Sequence, residues 1–244
     1  MKSRCAVLIG LLIAALPWQT ALAEVSHASN QTLVYNGAIT FADNEEVFAL
    51  YDESAIKPTT LEITSLGGGI NAGLQLGEWI AANKLDVRIP RYCVSACANY
   101  IFAAGQTKHL GDSSYLIWHG GAHQPGLAQN LKDNANRKLL ETVHARRQAT
   151  VRRQKFKEID DYIEFVRRRE TQFFRRLNIN PNIAIFGQID PYLSTLPVNA
   201  GYSGWDYSIT DLQKLGVTNI EVGGNFWRPN SASNGIRVRR LFLE

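Results

Sequence analysis

Leu61-Glu62-Ile63-Thr64-Ser65-Leu66-Gly67-Gly68-Gly69 decides how this chain folds. Leu61 and Ile63 alternate with polar neighbours, as in a half-buried strand, and that strand runs directly into glycines. Behind them Ile70, Gly73, Leu74, Gly77, Ile80 and Ala81 recur at helical spacing, which predicts a helix over 70–82. Two similar passages follow. Residues 87–89 form a short apolar strand, then Cys93-Val94-Ser95-Ala96-Cys97-Ala98 opens a small-residue helix closed by Gly105. Residues 115–118 are apolar again and deliver His119. Strand and helix alternating at this length predict right-handed crossovers and a mostly parallel sheet with flanking helices, an α/β fold.

Upstream, residues 32–41 read as a strand with Gly37 near its middle, and Asp43 is placed to cap a helix from Asn44. The stretch from Glu24 reads as a polar leader to that strand. Residues 1–23 carry Lys2 and Arg4, an apolar run over 6–15, Pro17 and Ala21-Leu22-Ala23. This is the pattern of a signal peptide cut after Ala23, which implies a periplasmic or secreted product. Residues 24–244 then suffice for a single domain, and no internal repeat or long linker divides them.

Downstream, glycine and proline all but vanish between about residues 130 and 177, giving a long basic helical segment at about 127–178, broken near Ala149-Thr150. Residues 137–176 hold 13 basic and 6 acidic side chains. Ile159, Ile163, Val166, Phe173, Phe174 and Leu177 keep to one face, so one side packs and the other meets water. Ion pairs within the helix, such as Glu164 with Arg168, account for much of the charge, leaving weak contact with an anionic membrane surface as the membrane reading. Without Lys2 and Arg4 the chain has 24 basic against 22 acidic residues, so nucleic acid is not an expected partner. A short helix over 210–215, a strand over 219–222 and an irregular tail from Gly223 complete the chain.

Of the three cysteines, only Cys93 and Cys97 lie beyond the leader. They can pair if the backbone bends between them, since regular helix geometry holds such a pair too far apart for comfort; otherwise they pack as small apolar side chains. Two cysteines without further ligands are a weak zinc signal, so no metal is expected.

Ser95 stands where a strand should turn into a buried helix. The glycine cluster offers backbone N–H groups able to approach an oxyanion closely, and His119 ends a neighbouring strand at the same carboxyl edge of the sheet. A serine capping a helix and a plain tight turn are the simpler alternatives for the first two. A phosphate loop is disfavoured, because no Lys-Ser or Lys-Thr pair follows the glycines.

These segments resemble the ClpP/crotonase superfamily, which includes the Clp protease proteolytic subunit and signal peptide peptidase A. In it a Ser-Pro-Gly-Gly turn precedes a helix, a serine opens a small-residue run ending in Ala-Gly, and a histidine follows some two dozen residues later. Residues 93–97 are similar to the Cys-x-Ser-Ala-Cys motif of exported bacterial members. The resemblance implies Ser95 as nucleophile, His119 as general base, and the N–H groups of Gly68 and Ala96 as oxyanion hole. It also implies a peptide or protein substrate, no cofactor and a homo-oligomer. The third residue departs from the pattern. The stretch from Ser208 to Gly216 matches the helix after the family's aspartate, with Leu212 in place of an alanine, but Gly204 holds the aspartate's position. Asp206, two residues on, is the substitute, making either a Ser-His dyad or a shifted triad. A non-catalytic peptide-binding or scaffolding relative is the alternative class. A crotonase-like acyl-thioester enzyme ranks below both, since no glutamate pair stands at the site.

Overall fold

A computed structural model describes residues 23–142, 145–194, 201–223 and 237–243. The expected signal peptide over residues 1–23 lies outside the described residues, apart from Ala23. A six-stranded sheet forms the frame, in the order β1 (Glu24–Ser29), β2 (Thr32–Asn36), β3 (Thr60–Thr64), β4 (Asp86–Ile89), β6 (Lys108–Leu110) and β9 (Ile220–Val222). Only the β1–β2 pair is antiparallel. The stretch from Glu24 is therefore a strand and not a polar leader. Its exposed side chains hide the alternation that marks the others, and a hairpin turn onto β2 holds it.

Beside this sheet runs a second set of short pairings. β5 (Tyr92–Val94) pairs in parallel with β7 (Tyr115–Ile117), and β8 (Gly204–Tyr207) pairs in parallel with β10 (Val238–Leu241). Single bridges join Ser65 to Cys93 and Trp118 to Trp205. The chain thus leaves β3, β4 and β6 in turn, makes a short pairing in the second set, and then enters a helix. Those helices are α2 (Ile70–Asn83), a π-helix (Cys97–Phe102), and the pair α3 (Leu127–Thr142) and α4 (Ala145–Arg176). β5, β6, β8 and β10 escaped the sequence reading because three- and four-residue strands are too short to show a period. The tail from Gly223, expected to be irregular, supplies β10.

Helix α1 (Phe41–Glu53) starts three residues before the predicted point. Thr40 is the cap: its hydroxyl accepts the Asp43 N–H at 3.2 Å and donates to the Asp43 carboxylate at 2.6 Å, so Asp43 is the capping partner and not the cap. The long basic segment forms two helices, α3 and α4, and the predicted break at Ala149-Thr150 is not found, since both residues lie within α4. Helix α5 (Ile209–Lys214) agrees with expectation.

Leu33, Tyr35, Leu61, Ile63, Val87 and Ile89 from the sheet are buried against Leu74, Leu76 and Ile80 of α2 and Tyr100, Ile101 and Phe102 of the π-helix. Phe173 and Phe174 of α4 close this core, with Tyr100 and Phe173 edge to face at 5.7 Å. The predicted apolar face of α4 is buried at Ile159, Ile163, Val166, Phe173 and Phe174, and the Glu164–Arg168 pair forms on its outer side. No helix among the described residues is long and apolar enough to cross a membrane.

Lys108 of β6 is a buried cation whose ammonium donates to the Gly105 carbonyl at 2.7 Å. Burial pushes its pKa down from 10.5 to about 8, against the opposing pull of Asp86. The unfolded chain holds this proton more tightly, so the group's contribution to stability rises with pH between about 8 and 10.5. A side-chain amine NMR titration is expected to give a midpoint near 8 for Lys108; the ordinary lysine value would mean that the amine is solvated.

Candidate active site

The site is built by main-chain pairing. The Ser65 N–H donates to the Tyr92 carbonyl at 3.1 Å, and the Val94 N–H donates to the Ser65 carbonyl at 3.0 Å, so the end of β3 lies against β5. β5 in turn pairs with β7 in the register Tyr92 to Tyr115, Cys93 to Leu116 and Val94 to Ile117. The pairing runs one hydrogen bond further, from the Ser95 N–H to the Ile117 carbonyl at 2.8 Å, and His119 follows two residues beyond that carbonyl. The glycine loop, the serine and the histidine, distant in sequence, therefore share one carboxyl edge.

Ser95 occupies the left-handed region, with φ at +59°. For a residue with a Cβ this costs of order 1–3 kcal/mol, so the surroundings must impose it. Its N–H donates to the Ile117 carbonyl at 2.8 Å, and its carbonyl accepts the Asn99 N–H at 2.8 Å. Cys93 and Cys97, both fully buried, are joined by a disulfide across it, with Cα atoms 5.1 Å apart. Cys93 belongs to a strand and Cys97 to a helix, so the chain reverses at Ser95, which removes the regular-helix spacing that would oppose the bond. The Ser95 side chain is half-buried, and its Oγ has no hydrogen-bond partner among the described residues.

The glycines touch this turn. Gly67 has φ at +96°, and a Cβ there would lie 2.7 Å from the Ser95 Cβ and from the Val94 carbonyl oxygen. A Cβ on Gly68 would lie 2.0 Å from the Ile39 carbonyl oxygen. Only glycine lets the backbone come this close. The Ser65 Oγ accepts the Gly67 N–H at 3.0 Å, and the Gly67 carbonyl accepts the Ile39 N–H at 2.9 Å. Neither the Gly68 nor the Ala96 N–H has a protein acceptor among the described residues. Ala96 precedes the π-helix, where unpaired donors are expected.

His119 emerges past β7 with an exposed side chain. Its main chain is well held. Trp118 and Trp205 exchange two hydrogen bonds of 2.8 Å, Gln188 Nε2 donates to the His119 carbonyl at 2.9 Å, and Asn99 Nδ2 donates to the Gly120 carbonyl at 2.7 Å. No hydrogen bond joins its ring to Ser95 Oγ among the described residues.

Asp206 is paired with Arg240. It is buried on β8 directly opposite Arg240 of β10, whose Nε and Nη2 donate to its two carboxylate oxygens at 2.7 and 2.9 Å. Burial raises its pKa although Arg240 pulls it down. Among the described residues no hydrogen bond connects it with His119; its two oxygens are taken by Arg240.

Two contributors escaped the sequence reading. Asn99 is the sole strongly polar residue in the small apolar run after Ser95, and Glu170 is the sole acid on the apolar face of α4. Both signals were visible as exceptions to a pattern. Among the described residues no three His, Cys, Asp or Glu side chains cluster as a metal site would require.

Breaking the Cys93–Cys97 bond, with reductant or in a Cys93→Ala/Cys97→Ala variant, is expected to cost about 2 kcal/mol of stability, as loop closure predicts for so short a loop. Denaturant midpoints with and without reductant measure this; coincident midpoints would show that packing alone holds the Ser95 turn. Compared with protein-family models and with curated proteins, the sequence matches none.

Proposed function

We propose that this chain is a serine hydrolase of the ClpP/crotonase fold, exported and independent of ATP, that cleaves peptide bonds in peptide or protein substrates. The observation that carries the reading is Ser95, held at positive φ on a strand-to-helix turn, in contact with the glycine loop and beside the strand that ends in His119. A mainly parallel sheet with flanking helices agrees with that fold.

In this reading Ser95 Oγ attacks the substrate carbonyl carbon while its proton passes to His119. The carbonyl oxygen takes up negative charge, which the Gly68 and Ala96 N–H groups stabilise. The imidazolium then returns its proton to the leaving amine as the C–N bond breaks, leaving an ester on Ser95. Water, deprotonated by His119, attacks that ester and releases a carboxylic acid. With no carboxylate on the histidine, catalysis is slow: loss of the orienting acid lowers kcat about 10⁴-fold in serine proteases. Assembly into a homo-oligomer belongs to the same reading, as does weak contact between the basic helices and an anionic membrane.

A non-catalytic peptide-binding role is the second reading. The two features that favour it are the commitment of Asp206 to Arg240 and the missing bond between Ser95 and His119.

Covalent labelling separates the two. A fluorophosphonate is expected to attach to Ser95 in the folded protein, not at all in Ser95→Ala, and more slowly in His119→Ala. A folded protein whose Ser95 never reacts would leave the binding reading.

A further inference from the structure

Glu170 is a carboxylate on the apolar face of α4 with no exposed surface. Its Oε1 accepts two hydrogen bonds, one from the Tyr100 hydroxyl and one from the Ala122 N–H at 3.0 Å. Tyr100 lies on the helical segment that Ser95 opens, and Ala122 lies on the loop that His119 opens. A single oxygen atom is thus shared by the segment carrying the serine and the segment carrying the imidazole. Its neighbours on α4 extend the same grip. Arg167 Nε donates to the Ala122 carbonyl at 3.1 Å, so both main-chain groups of Ala122 are held by α4. Arg169 pairs with Glu78 at 2.6 Å and donates to the Asn71 carbonyl at 3.2 Å, which fixes the start of α2 behind the glycine loop. Three positions of α4, Arg167, Arg169 and Glu170, therefore reach all three segments of the site.

We propose that Glu170 is a positioning residue that sets the distance between Ser95 and His119, so that the basic helical segment is part of the site's scaffold. The proposal rests on the serine-hydrolase reading of the same residues. What the role requires is a buried acceptor oxygen at this reach, and not a negative charge. Burial raises the Glu170 pKa and so favours the neutral carboxyl, despite the hydrogen bonds from Tyr100 and Ala122 and the influence of His123. Glutamine keeps such an oxygen; methionine fills the space without it.

The test compares Glu170→Gln and Glu170→Met by the rate of fluorophosphonate labelling at Ser95 and by the ring NMR signals of His119. Glu170→Gln is expected to label as wild type does, with the His119 signals unmoved. Glu170→Met is expected to label roughly a hundredfold more slowly, the penalty for a misplacement of about 1 Å, with those signals shifted. Should Glu170→Met fail to fold, Tyr100→Phe removes one donor alone and is expected to shift the His119 signals in the same sense. Wild-type labelling by Glu170→Met with unmoved ring signals overturns the proposal, and so does a glutamine variant as slow as methionine. If the wild-type protein does not label, the hydrolase reading falls, and the ring signals by themselves decide whether Glu170 positions His119.

Discussion

The hydrogen bond from the Ser95 N–H to the Ile117 carbonyl is the contact on which the rest of the site depends. It extends the β5–β7 pairing one residue into the turn, so that the ladder and not the helix decides where the serine stands. Ser95 makes this bond from the left-handed region, with its carbonyl accepting the Asn99 N–H at the start of the helix and the Cys93–Cys97 disulfide closing across it. The strain this implies is repaid by hydrogen bonds of ordinary length at both of its main-chain groups, and by the burial of both cysteines.

The second constraint is close approach. Gly67 lies so near Ser95 that any side chain there would collide with the turn, and Gly68 lies so near Ile39 that the same holds on the other side. The loop is therefore wedged between two stretches of backbone, and the Ser65 hydroxyl holds the Gly67 N–H within it. Donors fixed by backbone contacts cost little reorganisation when charge develops beside them, which is the property an oxyanion site needs. A phosphate loop uses glycines for a related reason, but it adds a lysine that this chain lacks.

The polar groups of the core show how the fold limits its own chemistry. Asp206 is buried with a bidentate guanidinium, an arrangement that satisfies both carboxylate oxygens. Glu170 is buried with two donors on one oxygen, which ties α4 to the site. Two acids within the same domain thus serve structure, and neither is hydrogen-bonded to His119. Burying an ionised carboxylate without partners would be prohibitive, and the partner each finds determines what it can do.

Much of this protein is legible in the order of its residues. Strand, glycines and helix at residues 61–82 announce a parallel α/β fold because period and glycine placement are local properties of the chain. Ser95 and His119 likewise stand out through their immediate neighbours, whereas Gly68 and Ala96 were singled out only by the family resemblance. The apolar face of α4 could be read from spacing alone. What the order of residues could not supply is anything that depends on pairing between distant strands. Three-residue strands such as β5 carry no period, the tail holding Arg240 shows no sign of its partner, and whether two cysteines four apart can bond depends on a turn imposed from β7. The sequence by itself determined which groups are present and on which kind of element each sits. Tertiary structure alone decided which of them meet, because register between remote strands is settled by packing and hydrogen bonding that no local window contains.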